Sequence, residues 1–386
     1  MENYKKKKID SVFGNSFDKS DFKEVEKVLK SHFVGAGEVT NRFEDEFKKR
    51  IGFKYASAVS SCTNGFWLLL KALNLQPQDE VIIPNIHFFG IKNVLELLSI
   101  KYKIVDVGKP IPNVTFEEIT NNITENTKGI IFLEYGGYPV LEIDKIKRYM
   151  IDIGRKDILL ILDAANSPFT KYRDAYSALN YDYALYSFDM NKILATGDGG
   201  MVLSDDRSVI DKTRSLAYYG IADSTRTGFD KSKTGDRWWA IESTVPSLKL
   251  RMNNIAASLG LTQLNKIEKI LQKRVRIVND YRRTLRPLVL QGFIELPPEY
   301  EAVENNAYFF WLLVADEQTR DNLAMFLLKN NIYTTVKYQP LTEKAKTPAA
   351  FQFYSRALNI PLHQNITREE QKYIIKNIYR FFDDEK

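Results

Sequence analysis

The sequence contains very few cysteines and histidines. Of 386 residues, one is cysteine (Cys62) and three are histidines (His32, His87 and His363). A single cysteine cannot form an internal disulfide, and it suits a reducing compartment such as the cytoplasm, where we expect the protein to reside. Because the three histidines lie far apart in the sequence, a zinc site or a histidine-based triad has little to build on, and we predict no metal.

Long apolar runs are also absent. No uninterrupted apolar stretch is long enough to cross a membrane, and the basic start of the chain is not followed by the apolar segment of a secretory signal. The lysines at 5–8 are not interleaved with aromatic residues, which favours a solvated tail over a nucleic-acid-binding arm. The 44% of hydrophobic residues is typical of a globular protein, and a net charge of +6 fits an enzyme of anionic small molecules at least as well as a nucleic-acid binder. We expect no nucleic-acid or membrane partner.

Short apolar runs alternate with helical patterns in the first two hundred residues. The runs at 79–84, 129–133 and 157–163 are typical of buried strands, and segments with helical spacing lie between them. This alternation predicts an α/β fold with a mostly parallel sheet covered by helices on both faces. Further on the pattern becomes helical, with short strands predicted at 308–314 and 333–336.

One segment holds a lysine between two predicted strands. The run 183–188 contains Ser187, Lys192 follows in a loop, and glycines precede a second apolar run at 201–203. A lysine desolvated in such a place can act as an amine nucleophile in Schiff-base chemistry, and the glycines would let backbone approach a bulky ring. Taken alone, the pattern fits a solvated surface lysine as well.

A strand, a turn and a helix follow one another at 56–73. Ser61 and Thr63 place hydroxyl groups at the start of the helix, where unpaired backbone N–H groups and the helix dipole favour an anion such as phosphate. The same hydroxyls suit an ordinary helix cap, so both interpretations stay open at this point.

Two further candidates follow predicted strands. Phe88 lies beyond the strand at 79–84, at the end where ligands of open α/β sheets bind, so it could stack on a flat cofactor or simply pack in the core. Asp163 ends the strand at 157–163 and is either a cap for the next turn or a functional anion.

Taken in order, these motifs resemble the fold-type I pyridoxal-phosphate enzymes, and specifically the DegT/DnrJ/EryC1/StrS family of sugar aminotransferases. The matching blocks are NRFEDEFKKRIGFKYASAVSSCTNG, DAAN, SF-x-x-x-K-x-x-x-x-G-D-G-G, LRMNNIAASLGLTQLNKIEKI and ALNIPLHQNITREEQ. The resemblance implies a large cofactor-binding domain (residues 1–254) with a mostly parallel seven-stranded sheet flanked by helices. It also implies a smaller α+β C-terminal domain (residues 255–386).

The resemblance assigns the central chemical roles. Lys192 would hold pyridoxal 5'-phosphate as a Schiff base and, once released, would move a proton between the cofactor and the substrate carbon. Asp163 would pair with the protonated pyridine nitrogen, and Phe88 would stack on the ring.

Other positions would surround the cofactor and the substrate. The phosphate would be held by Thr63, the backbone near Asn64, and Ser187. Asn166 would face the ring oxygen, and Tyr338 would face the substrate cleft. His87 stands where the family usually has threonine, and either a role beside the stacking aromatic or plain packing fits it. Lys249, in SLKLRM, replaces a common asparagine and would reach the cofactor phosphate of a neighbouring subunit.

An insertion at 222–244 has no counterpart in these family blocks. It contains Trp238 and Trp239, which could pack under a loop or present a stacking face to a nucleotide base. We favour packing.

The implied function is transfer of an amino group from L-glutamate to a keto group of a nucleotide-linked (dTDP, UDP or GDP) deoxysugar, in surface polysaccharide or glycoside biosynthesis. The cofactor would pass through pyridoxamine 5'-phosphate, in a homodimer with shared active sites. The alternatives are a dehydratase relative, an aminotransferase of a free cyclitol or sugar phosphate, and a catalytically silent cofactor-binding regulator. Lys192 argues against the dehydratase, in which histidine replaces it, and Lys192 with Asp163 argues against the regulator.

Overall fold

The strands follow the predicted alternation with helices. The computed structural model describes residue 9, residues 11–221, residues 237 and 239, and residues 242–384. The described ranges contain β1 (Tyr55–Val59), β2 (Glu80–Pro84), β3 (Lys101–Val105), β4 (Thr127–Leu133), β5 (Leu159–Asp163), β6 (Lys171–Tyr172), β7 (Ala175–Tyr176), β8 (Tyr183–Ser187), β9 (Gly200–Ser204), β10 (Val303–Glu304), β11 (Trp311–Leu313) and β12 (Ala357–Asn359).

Seven of these strands form the central sheet, in the order β1-β9-β8-β5-β4-β2-β3. Only β9 is antiparallel to its neighbours, β1 and β8, while the other pairs are parallel. The predicted α/β class with a mostly parallel seven-stranded sheet is therefore confirmed. Because six strands run the same way, the carboxyl ends of β1, β2, β4, β5 and β8 lie along one edge, where ligands of such sheets bind.

Helices cover the sheet and build the C-terminal part. Those described are α1 (Lys19–Ser31), α2 (Glu38–Ile51), α3 (Cys62–Leu73), α4 (Gly90–Leu97), α5 (Phe116–Thr120), α6 (Ile143–Asp152), α7 (Arg207–Leu216), α8 (Asn254–Leu290), α9 (Glu317–Lys329), α10 (Pro348–Arg356) and α11 (Arg368–Asp384). Within these ranges, none of the helices combines the length and the apolar composition needed to span a bilayer.

Helix α8 begins where the boundary between the two domains is predicted. Its first turns, with Ala257 and Leu261, pack into the core beneath the large sheet. Its later turns, with Tyr281 and Leu285, pack into a second apolar core shared with β11, β12, α9 and α11. One helix thus contributes to both cores, and the division at residues 254 and 255 stays a prediction.

The predicted strand at 333–336 does not form. Thr335 exchanges two backbone hydrogen bonds with Asn359, at 3.1 and 2.8 Å, but the pairing goes no further. Two residues later the carbonyl of Lys337 accepts a hydrogen bond from the Tyr135 hydroxyl at 2.5 Å. The chain therefore leaves β12 and turns over the large sheet.

Two buried polar side chains anchor the C-terminal part to the carboxyl edge of that sheet. Asn85 follows β2, and its Oδ1 accepts the backbone N–H groups of Leu341 and Thr342 at 2.5 and 2.9 Å. Asp106 follows β3, and its carboxylate accepts the N–H groups of Ala349 and Ala350, in the first turn of α10, at 2.9 and 2.8 Å. Asn85 thus holds residues 341 and 342 beside the sheet edge, and Asp106 holds the start of α10 there.

One buried carboxylate connects three elements of the large sheet. Glu44 of α2 is 1% exposed; it accepts the N–H of Ala58 in β1 at 2.8 Å and pairs with Arg214 of α7 at 2.6 Å. We predict that Glu44→Ala lowers the free energy of unfolding by about 3 kcal/mol, because Arg214 keeps only Asp211 at 3.8 Å as an ionic partner and the buried Ala58 N–H loses its acceptor. Urea unfolding measures this. Glu46→Ala, on the exposed face of α2, is the control and should cost less than about 0.5 kcal/mol; equal losses would contradict the assignment.

Candidate active site

A cavity of about 380 Å³ lies at the carboxyl edge of the sheet. Its walls come from the segments after β1, β2, β5 and β8 and from two segments of the C-terminal part. Eight of the predicted site residues line it: Thr63, His87, Phe88, Asp163, Asn166, Ser187, Lys192 and Tyr338. The fold thus brings together side chains that are spread over most of the sequence.

Lys192 projects into this cavity from the loop between β8 and β9. A turn fixes its backbone, since its N–H donates to the carbonyl of Asp189 at 2.9 Å. Its Nζ donates to the Tyr308 hydroxyl at 3.0 Å. Burial raises the pKa of Tyr308 above its usual value, so the hydroxyl stays neutral at physiological pH. The amine is therefore held by a neutral acceptor from the C-terminal part of the chain.

Asp163 is the last residue of β5 and is almost fully buried. Its Oδ1 accepts the N–H of Ala165 at 2.9 Å, and its Oδ2 lies 3.5 Å from His87 Nε2. Burial lowers the pKa of His87, although Asp163 opposes that shift, so the imidazole is neutral at pH 7. A neutral imidazole therefore lies beside the carboxyl group of Asp163.

The turn before α3 contributes hydroxyl groups to the cavity. Ser61 caps the helix, because its Oγ accepts the N–H of Asn64 at 3.1 Å, and Asn64 Nδ2 donates to Ser60 Oγ at 2.9 Å. Asn64 does not line the cavity; its amide and its side chain are both used within the cap. Thr63 and Ser187 both line the cavity wall.

A glycine lets β9 approach this turn. A Cβ atom at Gly200 would lie 2.7 Å from both the Cys62 nitrogen and the Ser61 carbonyl carbon. Real side chains do not tolerate such contacts with backbone, so only glycine fits. The close approach at Gly200 is therefore to the turn, whereas the sequence suggested an approach to a bulky ring.

Phe88, Asn166 and Tyr338 form another part of the wall. The Phe88 ring is 43% exposed, so the core-packing alternative does not describe it. Asn166 Nδ2 donates to the Tyr338 hydroxyl at 3.3 Å, and burial raises the pKa of that hydroxyl. Within the part of the chain that is described, the buried atoms Asn166 Oδ1 and His87 Nε2 have no hydrogen-bond partner. Such unsatisfied atoms are costly unless a ligand completes them.

Lys249 is not in the cavity. Its backbone pairs with Tyr218, the carbonyl of the next residue, Leu250, accepts the Ser60 N–H at 2.7 Å, and its side chain is exposed. It thus lies behind the turn, and its predicted reach into another subunit stays a prediction. Trp238 is outside the described residues, and Trp239 is 63% exposed, which is not the buried position that packing would give.

The cavity also includes residues that the sequence reasoning missed. Tyr308, Lys337 and Asp189 line it. Tyr308 was placed in a predicted strand, yet it follows a turn in which Asn306 Oδ1 accepts its N–H at 3.0 Å. The neighbouring pair of asparagines in the sequence is a turn signal that could have separated Tyr308 from the strand.

This set of side chains on a mostly parallel α/β fold defines a class. A lysine amine and a buried carboxylate face one cavity, beside an aromatic face and the hydroxyls of a helix start, and these are the groups that pyridoxal phosphate needs. The model of the DegT/DnrJ/EryC1/StrS aminotransferase family matches residues 15–379, and the chain belongs to that family. It is accordingly a pyridoxal-phosphate-dependent sugar aminotransferase of fold type I.

Individual relatives span nearly the whole chain. The dTDP-4-dehydro-2,3,6-trideoxy-D-glucose 4-aminotransferase of Saccharopolyspora spinosa is 31% identical over 91% of both chains. The crystal structure of aminotransferase TlmJ from Streptoalloteichus hindustanus is 27% identical and superposes with a TM-score of 0.88, covering 97% of this chain and 99% of TlmJ. Protein Spr1654 of Streptococcus pneumoniae, solved in its pyridoxamine-phosphate form, shares the fold at 22% identity, with a TM-score of 0.88 and 98% of both chains covered.

Pyridoxal phosphate fits the residues present. Asp163 offers a buried carboxylate to a protonated ring nitrogen, and Lys192 offers the amine for the aldehyde carbon. The unsatisfied Asn166 Oδ1 and His87 Nε2 lie on the same wall. The hydroxyls of Thr63 and Ser187 line the cavity and would be available as donors to the cofactor phosphate.

A substitution at Tyr308 tests whether its hydroxyl positions the Lys192 amine. We predict that Tyr308→Phe keeps the cofactor bound but slows single-turnover transamination by about 10- to 100-fold, because the amine loses the group that places it for proton transfer. Stopped-flow absorbance measures the rate. Tyr333→Phe, an exposed tyrosine, is the matched control and should change nothing. A Tyr308→Phe rate equal to wild type would show that the hydroxyl does not position the lysine.

Proposed function

We propose that this aminotransferase moves an amino group from L-glutamate to a keto carbon of a nucleotide-linked deoxysugar. The observation that carries the proposal is the convergence of Lys192 and Asp163 on one cavity in a chain of this family. The similarity to an enzyme that acts on a dTDP-linked ketosugar supports the acceptor class, with dTDP, UDP or GDP as the nucleotide. The pathway would make a surface polysaccharide or a glycoside.

The residues have distinct tasks in this reaction. When bound, pyridoxal phosphate supplies an electron sink that stabilises negative charge on the carbon next to the transferred nitrogen. Asp163 would keep the ring nitrogen protonated, and Phe88 would hold the ring plane. Lys192 would accept the proton from that carbon as a free amine and return it at the neighbouring position. Tyr308 keeps this amine in place during both transfers.

The site is proposed to be completed by a second copy of the chain. Several apolar side chains next to cavity residues or within the SLKLRM segment are exposed in the single chain: Phe89 at 60%, Met190 at 62% and Leu248 at 57%. An exposed apolar surface of this kind marks an interaction surface. In the resulting homodimer, Lys249 of one copy would approach the phosphate in the other. The single cysteine of the chain agrees with assembly and activity in the cytoplasm.

The proposed function is tested by absorbance. Wild-type protein with pyridoxal phosphate is predicted to show a band near the edge of the visible range, which L-glutamate replaces with a pyridoxamine-like band at shorter wavelength. Lys192→Ala should lack the starting band. Nucleotide-linked ketosugars are then screened for restoring it.

The proposed amino donor and the proposed acceptor class can be rejected separately. A bound cofactor that does not respond to glutamate would reject the donor. A glutamate response that no nucleotide-linked ketosugar reverses, but that a free cyclitol ketone or a keto-sugar phosphate does reverse, would reject the acceptor class.

A further inference from the structure

A second lysine faces the reaction cavity. Lys337, in the loop that also carries Tyr338, lines the cavity together with Lys192. Burial lowers the pKa of Lys337, and the charge of the nearby Lys192 side chain lowers it further. Asp189 acts in the opposite direction and raises it. Two lysine side chains therefore line the cavity in which the amino group would be exchanged. Lys192 would hold the cofactor, whereas the proposed function uses no contact of Lys337.

The Lys337 ammonium has no anionic partner within the described ranges. Its Nζ lies 5.3 Å from the ring centre of Phe13 and 5.6 Å from that of Tyr338. Aromatic faces attract a cation but do not neutralise it. Long-range attraction from Asp189 is present without an ion pair. A half-buried cation in this position favours an anionic ligand, because the ligand would neutralise its charge.

The backbone presents this lysine in a fixed position. The Tyr135 hydroxyl donates to the Lys337 carbonyl, and Asn85 holds the next part of the loop through the N–H groups of Leu341 and Thr342. Tyr135 and Asn85 are themselves fully buried. A charged group supported in this way loses little freedom on binding a ligand, which favours specific recognition.

We propose that Lys337 binds the α-carboxylate of the amino donor. This inference rests on the proposed function and names the ligand of one residue within it. The α-carboxylate is attached to the same carbon as the exchanged nitrogen, so it must lie close to the Lys192 amine. The diphosphate of a nucleotide sugar is separated from the reacting carbon by the sugar ring. The proximity of Lys337 to Lys192 therefore selects the carboxylate.

Binding of unreactive acids to the cofactor-loaded protein tests this assignment. L-2-hydroxyglutarate has a hydroxyl in place of the amine, and 4-hydroxybutyrate is the same molecule without the α-carboxylate. Isothermal titration calorimetry should show that wild type prefers 2-hydroxyglutarate by about tenfold or more, as expected for one charge-assisted hydrogen bond. This comparison needs no variant.

Variants then place the preference on Lys337. Lys337→Met, of similar length, should lose the preference, and Lys337→Arg should keep most of it. Lys344→Met removes an exposed lysine nearby in sequence and should behave as wild type. Binding of dTDP should be the same in all four proteins. Retention of the cofactor band shows that each variant is folded.

Other outcomes overturn the assignment. Unchanged 2-hydroxyglutarate binding in Lys337→Met, with weakened dTDP binding, would assign the lysine to the diphosphate. If neither ligand responds to the substitution, Lys337 binds no substrate anion. If wild-type protein fails to react with L-glutamate, the proposed donor is rejected. That result is distinct from ligand binding by Lys337→Met that equals wild type, which rejects only the role of Lys337.

Discussion

The hydrogen bond between Lys192 and Tyr308 joins the two parts of the chain at the reacting centre. Tyr308 owes its place to Arg274, a fully buried residue of α8. The guanidinium of Arg274 donates to the carbonyl of Tyr308 at 3.1 Å and to that of Ala307 at 3.0 Å. Helix α8 packs in both apolar cores. The hydrogen bonds from Arg274 to Tyr308 and between Tyr308 and Lys192 therefore connect the C-terminal part of the chain to the Lys192 amine.

The remaining geometry follows from the sheet. Parallel strands end at a common edge, so Asp163, Ser187 and Phe88 meet there although they belong to different segments. The antiparallel β9 closes the group by passing beside the turn before α3, which only Gly200 permits. Asn85 then holds residues 341 and 342 beside the same edge.

The sequence predicted cavity residues that lie at the end of a strand or in the loop after it. Asp163, Lys192 and Phe88 could be found because strand patterns and short motifs locate them. Tyr308 and Lys337 could not, since their position depends on contacts made by Arg274, Asn85 and other residues far away in sequence. The family resemblance predicts a phosphate contact from the backbone near Asn64, but a resemblance between motifs does not reveal that Ser61 accepts the Asn64 N–H. The predicted role of Lys249 toward a second copy of the chain stays a prediction.

The central claim is that Lys192, and not Lys337, carries the cofactor. Reduction of the pyridoxal-phosphate-loaded protein with borohydride fixes a pyridoxyl group on whichever lysine holds it, and peptide mass mapping then identifies that residue. The account predicts a single labelled peptide with the modification on Lys192. A label on Lys337 or on another lysine, or no label in protein that retains the cofactor, would contradict it.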